Sequence, residues 1–314
     1  MASQCSISNQ GAAIPSMKCN IFSLKNISMD TSWVNRTLYP FSDHFLEIEG
    51  QQMHYVDEGS GPVILFAHGT PEWSFGWREL IADLRKEYRC IAPDMIGFGL
   101  SDKPVDGDYR VEAHAKRLEA FIQQLGLKDI YLIANDFGLS ISLYSVIHHP
   151  QLFQKVSFFN GWMRQLDKDP HYSAPAKVMH GALGRFLYLR LNFPVNVITP
   201  AAFGDRKKLT PEVHRHYKRA LSRPDERHGA YTFSRELLGA GSFWADLEAQ
   251  LPKLSTMPFL IFWGMKDAFV PPSELAIWEK ALPHAEVIRL EKAGHFAQEE
   301  APEEMIAALR RFFR

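Results

Sequence analysis

The chain has 314 residues, which is enough for one large α/β domain or two ordinary ones. Hydrophobic residues make up 46% of it and charged residues 23%, and the net charge is −1. These values are typical of a soluble globular protein, and they favour neither nucleic acid nor a membrane as a partner.

The chain begins with a segment that shows no regular pattern. Residues 1–35 are rich in Ser and Asn and lack the charged-then-apolar plan of a secretory signal. We therefore interpret residues 1–37 as a disordered or loosely docked tail, and the alternative is a weak organellar presequence. Cys5, Cys19 and Cys90 have no metal-ligand spacing, and two of them lie in this tail. We therefore predict no metal, no disulfide framework and a reducing, cytoplasmic location. The oligomeric state stays open between monomer and homodimer.

The first predicted elements are strands that alternate with helices. Phe45–Ile48 and Met53–Val56, separated by Gly50, alternate between apolar and polar residues and predict a β-hairpin. Four continuous apolar runs typical of strands buried on both faces follow: VILFA (63–67), RCIAP (89–93), DIYLIA (129–134) and KVSFF (155–159). Helical patterns lie between them at 77–87, 111–125 and 139–148. This alternation predicts a mostly parallel sheet covered by helices on both faces.

The alternation stops near Gly161. Residues 162–245 are rich in aromatic and charged residues and contain no clear strand, which favours a mostly helical insertion. Strand–helix order resumes with PFLIFWG (258–264), a helix over 273–281, EVIRL (286–290) and a helix over 302–313. We therefore predict an eight-stranded α/β core in two parts, residues 38–160 and 247–314. The helical insertion, residues 161–246, follows the sixth strand.

A carboxylate ends the fifth predicted strand. In LIANDFGLS (132–140), Asp136 follows an apolar strand and precedes a helix, with Ala134 and Gly138 two positions to either side. Parallel sheets bind ligands beyond the carboxyl ends of their strands, and a turn that lifts one side chain out of the sheet needs small neighbours. The pattern is that of a nucleophile elbow with Asp in place of Ser. Taken alone, it fits a helix N-cap equally well.

Two further residues favour the nucleophile. Asp267 follows the strand PFLIFWG by a short loop, and His295 follows EVIRL on a loop that contains a glycine. Each one alone is an ordinary loop residue. The chain order Asp136, Asp267, His295 is, however, the nucleophile–acid–histidine order of α/β-hydrolases, and all three residues follow strands.

The loop HGTPEWSFGWR (68–78) comes directly after VILFA. Its position suits a loop that donates a backbone N–H to an oxyanion hole, so we predict that Thr70 and Phe137 supply the two N–H groups. We interpret His68 as a structural residue. Glu72 is either a support of the site or a surface residue.

Five segments together resemble the haloalkane dehalogenase and epoxide hydrolase branch of the α/β-hydrolases: HGTPEWSFGWR, DMIGFGLSDKP (94–104), ANDFG, FWGMKD and AGHFAQEEAPEE. The resemblance covers about residues 40–314 and is weakest in the insertion, which corresponds to the helical cap of that family. It implies that Asp136 attacks an sp³ carbon and forms an alkyl ester. It also implies that His295, oriented by Asp267, activates the water that hydrolyses the ester. The substrate would be a small apolar organic molecule, and no cofactor would be needed.

The sequence departs from this family where the leaving group binds. Dehalogenases typically hold halide with a Trp directly after the nucleophile and with an Asn or a second Trp. Here these positions are Phe137, whose ring has no N–H, and Thr70. Trp162 and Trp73 are candidates for the missing donor beside Phe137, or else they are packing residues.

Three alternatives use the same set of residues. An epoxide hydrolase would need cap tyrosines as proton donors, and the available ones are Tyr172, Tyr188, Tyr217 and Tyr231. A strained-lactone hydrolase would use a similar acid–base set. A binding protein with a hydrolase fold is the third alternative, against which the intact triad argues.

Overall fold

The computed structural model describes residues 31–314, and a single sheet of eight strands organises this part of the chain. The strands are β1 His44–Ile48, β2 Gln51–Gly59, β3 Val63–Ala67, β4 Arg89–Pro93, β5 Ile130–Asn135, β6 Phe153–Phe159, β7 Phe259–Gly264 and β8 Glu286–Leu290. Their order is β1-β2-β4-β3-β5-β6-β7-β8. The β1–β2 and β2–β4 pairs are antiparallel, and all other pairs are parallel. The predicted eight-stranded, mostly parallel sheet is confirmed.

The helices of the two core parts alternate with these strands. They are α1 Arg78–Leu84, α2 Val111–Gln124 and α3 Asp136–His148 before β6, and, after β7, α10 Pro272–Ala281, α11 Ala297–Glu300 and α12 Pro302–Phe313. Two of these helices differ from the prediction by three residues at one end: α1 ends at Leu84 instead of residue 87, and α3 begins at Asp136 instead of Leu139. Apolar periodicity does not mark this start, because the helix follows β5 without a loop and its first residue is a carboxylate.

The segment between β6 and β7 contains six α-helices and no strand. They are α4 Pro170–Met179, α5 Ala182–Leu189, α6 Thr199–Ala202, α7 Pro211–Ala220, α8 His228–Gly239 and α9 Gly241–Gln250. Local sequence explains two of the starts. Asp169 and Thr210 accept hydrogen bonds from backbone N–H groups of the first turns of α4 and α7, and each is followed by a proline at the first helical position.

The core lies around the central strands. β7 is buried along its whole length, and β3 and β5 are each buried at all positions but one. Such strands read as continuous apolar runs because helices cover both faces of a parallel sheet. Among residues 31–314, no helix combines the length and apolar character needed to cross a bilayer.

The beginning of the described chain packs against the insertion. Residues 1–30 of the predicted tail lie outside the described residues. In the remainder, the Trp33 ring contacts Trp73 with ring centroids 5.6 Å apart. The Asn35 N–H donates to His216 Nε2 at 3.0 Å, and its side chain donates to Glu212 Oε1 at 3.1 Å. This part of the tail is therefore docked on α7.

Asp94 connects the loop after β3 to the loop after β4. Its carboxylate accepts hydrogen bonds from the N–H groups of Ser74 and Leu100, both at 2.7 Å, and from His54 Nδ1 at 2.9 Å. Burial disfavours the charged imidazole of His54, but the charges of Asp94 and Asp43 outweigh it and raise the pKa of His54. The buried ion pair therefore holds in place the loop that carries Thr70.

His114, on α2, is buried, and neither of its ring nitrogens has a hydrogen-bond partner among residues 31–314. Burial lowers its pKa from 6.5 to about 3. Its stabilising contribution is therefore present above pH 6.5 and is lost as the pH falls toward 3.

His114→Phe removes this titrating group. For each pH unit below 6.5, the unfolding free energy of the variant should therefore rise by about 1.4 kcal/mol relative to that of the wild type. Urea unfolding at about pH 7.5 and about pH 5.5 measures this gain. The matched control is His148→Phe, at an exposed position on α3. An equal difference between variant and wild type at both pH values would contradict the prediction.

Candidate active site

Asp136 stands on a sharp turn between β5 and α3. Its φ angle is +50°, in the left-handed region that few residues other than Gly, Asn and Asp adopt. The turn also requires small neighbours: a Cβ on Gly138 would lie 2.2 Å from the carbonyl oxygen of Ala67, and one on Gly69 would lie 2.3 Å from Asp136 Cβ. The turn thus lifts the Asp136 side chain out of the end of the sheet.

The Asp136 carboxylate does not cap its own helix. Asn135 is the N-cap residue of α3, and the helix start has no side-chain cap hydrogen bond. Instead, Asp136 Oδ1 accepts the backbone N–H of Thr70 at 2.9 Å. The N-cap interpretation is therefore wrong, and the carboxylate faces the loop after β3, as a group directed at a ligand would.

His295 lies between two carboxylates. Its Nδ1 is 2.7 Å from Asp267 Oδ2, and its Nε2 is 3.5 Å from Asp136 Oδ2. Burial by itself lowers the pKa of His295, but the charges of Asp267 and Asp136 and their hydrogen bonds outweigh burial and hold the pKa well above its usual value. The structure thus brings together all three residues of the predicted triad.

Asp267 is held by four donors. Its Oδ1 accepts the N–H groups of Phe269 at 2.7 Å and Val270 at 3.0 Å, and its Oδ2 accepts His295 Nδ1 and, at 2.9 Å, Asn160 Nδ2. Asp267 can therefore stabilise its own turn and orient His295 at the same time, because Oδ1 accepts the N–H groups of the turn and Oδ2 accepts His295.

Asn160 is a residue of the site that the sequence analysis missed. It has a φ of +40°, and its Oδ1 accepts the N–H of Gly264 at 2.8 Å while its Nδ2 donates to Asp267. It therefore joins the end of β6 to the loop after β7. Its position directly after a buried strand is the same signal that identified Asp136.

A cavity of about 510 Å³ opens in front of Asp136 and His295. Most of its lining is apolar and comes from the helical insertion, including Met179, Phe193, Val197, Ile198 and Leu237. Three side chains in the lining have a donor with no hydrogen-bond partner among residues 31–314: the Thr70 hydroxyl, Trp162 Nε1 and the Tyr172 hydroxyl. Tyr172 is only 5% exposed, so its side chain has little access to bulk water.

The two candidate tryptophans lie in different places. Trp162 lines the cavity, and its ring meets Phe137 edge to face with the centroids 4.9 Å apart. Trp73 does not line the cavity, since its ring packs against Trp33, Tyr39 and Phe75. The prediction that Trp73 binds a leaving group is therefore wrong. Phe137 lines the cavity with an apolar ring that has no donor.

Two other residues of the first loop have structural partners. His68 Nδ1 lies 2.7 Å from the carbonyl oxygen of Gly69, and its Nε2 accepts the N–H of Met95 at 2.9 Å. Both ring nitrogens are thus occupied, as expected for a structural residue. Glu72 is buried, which excludes a surface role. Among residues 31–314, no cluster of His, Cys, Asp or Glu is arranged to hold a metal ion.

A buried ion pair supports the segment that follows His295. Arg78 Nη1 and Nη2 donate to the two oxygens of Glu299, both at 2.6 Å, and the Tyr217 hydroxyl donates to Glu299 Oε1 at 2.7 Å. Such paired geometry is the arrangement in which a buried charge is best tolerated. It connects α1 and α11 of the core with α7 of the insertion.

Comparisons with known proteins show the family of this chain. The family model of the alpha/beta hydrolase fold matches residues 62–302. The chain is 34% identical over 274 residues to haloalkane dehalogenase 2 of Mycobacterium tuberculosis, covering 87% of this chain and 95% of the relative. It is 30% identical over 285 residues to a cis-3-alkyl-4-alkyloxetan-2-one decarboxylase of Shewanella oneidensis, and the match covers 88% of this chain and 89% of the relative.

A similar solved structure is that of a haloalkane dehalogenase from Bradyrhizobium elkanii. Its TM-score is 0.78 at 29% identity, and the match covers 87% of this chain and 97% of that one.

Asn160→Ala should lower the unfolding free energy by ~1–3 kcal/mol, because it leaves the buried Gly264 N–H unpaired and removes a donor from Asp267. It should also shift the downfield NMR resonance of the His295 Nδ1 proton, since the acceptor of that proton changes its own hydrogen bonding. Urea unfolding and proton NMR measure the two effects.

The control is Asn192→Ala, at a buried asparagine of the insertion with a φ of +47°. It should lower stability but leave the resonance in place. An unshifted resonance in Asn160→Ala would count against the role of Asn160 in the site.

Proposed function

Because the chain belongs to the haloalkane dehalogenase-like branch of the α/β-hydrolase family, we propose that it hydrolyses small haloalkanes with Asp136 as nucleophile. The observation that carries the proposal is the position of the Asp136 carboxylate. It lies in an apolar cavity, with one oxygen held by the Thr70 N–H and the other facing His295. A carboxylate held in this way is suited to in-line displacement at an sp³ carbon.

In the first step, Asp136 Oδ2 attacks the carbon that bears the halogen. A carbon–oxygen bond forms, the carbon–halogen bond breaks, and halide leaves with the electron pair. The cavity favours this step because it removes the water that would otherwise solvate the carboxylate, while the hydrogen bond from Thr70 fixes its direction. The product is a neutral alkyl ester of Asp136.

In the second step, water attacks the ester carbonyl carbon and His295 Nε2 takes its proton. Ester formation removes the charge of Asp136, one of the two charges that raise the pKa of His295 in the free protein. The imidazole therefore loses its proton more readily and becomes a base. The charge of Asp267 remains and stabilises the imidazolium that forms. The backbone N–H groups of Thr70 and Phe137 would hold the oxyanion on Oδ1. As the ester C–O bond breaks, His295 returns its proton to the alkoxide oxygen, the alcohol leaves, and the carboxyl group of Asp136 loses its proton to water.

The halide needs hydrogen-bond donors in an otherwise apolar cavity, and Phe137 offers none. Trp162 and Tyr172 both line the cavity, and neither Trp162 Nε1 nor the Tyr172 hydroxyl has a hydrogen-bond partner within the described part of the chain. Their rings lie side by side, with the centroids 6.3 Å apart. We therefore assign the leaving-group site to Trp162, with Tyr172 as its neighbour in place of the donor missing at Phe137.

A second candidate function comes from the relative in Shewanella oneidensis, whose name specifies an oxetan-2-one, a strained four-membered lactone. Such a ring would also suit an apolar cavity with one nucleophilic carboxylate. Release of carbon dioxide from a 3,4-dialkyl oxetan-2-one, without turnover of haloalkanes, would favour this candidate over the first.

Exposure of His295→Phe to a long 1-bromoalkane should produce a stable adduct, because the second step stalls without its base. Intact-mass spectrometry should show one alkyl group in place of one proton, and peptide mapping should place it on Asp136. His171→Phe is the control, since His171 also lines the cavity but bonds the carbonyl oxygen of Phe269. This variant should turn over without accumulating an adduct. An adduct from the matching terminal epoxide alone would identify an epoxide hydrolase. A folded protein that gives no adduct at all would refute alkylation of Asp136.

Trp162→Phe should slow the displacement step by about 10²-fold, the usual cost of one donor lost to a developing negative charge. Pre-steady-state halide release measures this step directly. Trp73→Phe is a closely matched control, because Trp73 is also buried with an unpartnered Nε1 but lies outside the cavity. Equal rates for Trp162→Phe and Trp73→Phe would show that Trp162 is a packing residue.

A further inference from the structure

Glu72 is a buried carboxyl group that the two chemical steps do not use. It is 1% exposed and lies in the loop after β3. Its Oε1 accepts Asn135 Nδ2 at 2.7 Å, and its Oε2 accepts Gln298 Nε2 at 2.8 Å. Asn135 and Gln298 are themselves fully buried. Both oxygens of this carboxyl group therefore bond to side-chain amides.

These two hydrogen bonds connect the three segments that carry the site. Glu72 is two residues after Thr70, whose N–H holds Asp136. Asn135 directly precedes Asp136, and Gln298 is three residues after His295. Glu72 thus bonds the segment that carries Asp136 and the segment that carries His295. It does not itself line the cavity. A displacement of its carboxyl group would change the separation of Thr70, Asp136 and His295.

The amide partners can satisfy Glu72 with or without a proton. Burial raises the pKa of Glu72 from 4.5 to about 8, and the charges of Asp136 and Glu299 act in the same direction while His295 opposes them. The charge of Glu72 also acts on Tyr217, on α7, whose hydroxyl donates to Glu299. Asn135 Oδ1 and Gln298 Oε1 have no partner among residues 31–314. If either side-chain amide rotates so that its oxygen and nitrogen exchange places, its oxygen accepts the O–H of a neutral Glu72.

We propose that Glu72 is a positioning residue whose carboxyl group holds the Thr70, Asp136 and His295 segments in register, whether it carries a proton or not. The inference rests on the proposed function, because the geometry it maintains is that of the Asp136 and His295 reaction. A neutral amide at position 72 should preserve the arrangement: its oxygen accepts Asn135 Nδ2 and its N–H₂ donates to Gln298 Oε1. An apolar side chain of similar size should not.

Kinetics of two variants test the positioning. Glu72→Leu should lower kcat by about 10²-fold with KM within about threefold of wild type, since an error of roughly 1 Å in alignment has this effect. Glu72→Gln should restore kcat to within about threefold of wild type. The control is Glu112→Leu, at an exposed site on α2 whose Glu pairs with Lys116. A wild-type kcat in Glu72→Leu, or an equal loss in Glu72→Gln, would overturn the proposal.

Stability gives a readout that needs no substrate. The wild-type contribution from Glu72 is fully present below pH 4.5 and is lost as the pH rises through about 8, because the folded state retains the proton longer than the unfolded state does. Glu72→Gln cannot lose a proton. Its Tm relative to wild type should therefore rise between about pH 5 and about pH 8.5. Glu72→Leu lacks both hydrogen bonds to the amides of Asn135 and Gln298, so a Tm of Glu72→Gln no higher than that of Glu72→Leu would overturn the positioning role.

The two proposals can fail separately. If the wild-type protein hydrolyses no haloalkane, the proposed function fails, while the Tm of Glu72→Gln against that of Glu72→Leu still tests whether the hydrogen bonds at position 72 hold the segments together. If the wild-type protein is active and Glu72→Leu is equally active, only the positioning role fails.

Discussion

The Asp136 carboxylate brings a negative charge into an apolar cavity, and a buried charge is stable only where hydrogen bonds and opposite charge replace its lost water. Here the Thr70 N–H supplies the hydrogen bond and the His295 ring supplies the opposite charge. His295 in turn depends on Asp267, which the amide of Asn160 and two backbone N–H groups hold in place. Each polar or charged group at the site therefore offsets part of the desolvation free energy of another. Burying any one of them alone would cost more free energy.

The sheet makes this compensation geometrically simple. Parallel neighbours end at one edge, so the segments after β3, β5, β6, β7 and β8 meet there although they are far apart in the chain. The close approach of these segments sets the glycine requirement at 69 and 138, where a side chain would collide with Asp136 or with β3. It also explains why buried polar side chains gather at this edge: backbone groups beyond the strand ends need partners. Asn160 supplies such a partner to the backbone of Gly264, whereas Glu72 and Gln298 bond to each other.

The helical insertion has a different physical role. It provides most of the cavity wall, and it is tied to the core by the hydrogen bond from Tyr217 to Glu299, which also pairs with Arg78. Its apolar side chains set the size of the molecule that can reach Asp136, while Trp162 and Tyr172 are unpartnered donors in the wall. In the proposed reaction, the core therefore supplies the nucleophile and the base, and the wall supplies the contacts to the leaving group and to the rest of the substrate.

The sequence by itself determined the strand order along the chain, the helical insertion and the three residues at strand ends, Asp136, Asp267 and His295. These follow from apolar periodicity and from the position of polar residues after strands, which are local properties. Only the tertiary structure showed that Trp162 lines the cavity and Trp73 does not, and only it showed the hydrogen-bond partners of Asn160 and Glu72. The physical reason is that these depend on contacts across the fold. Glu72 and Gln298 are 226 positions apart, and no local pattern shows that two such residues meet in the core.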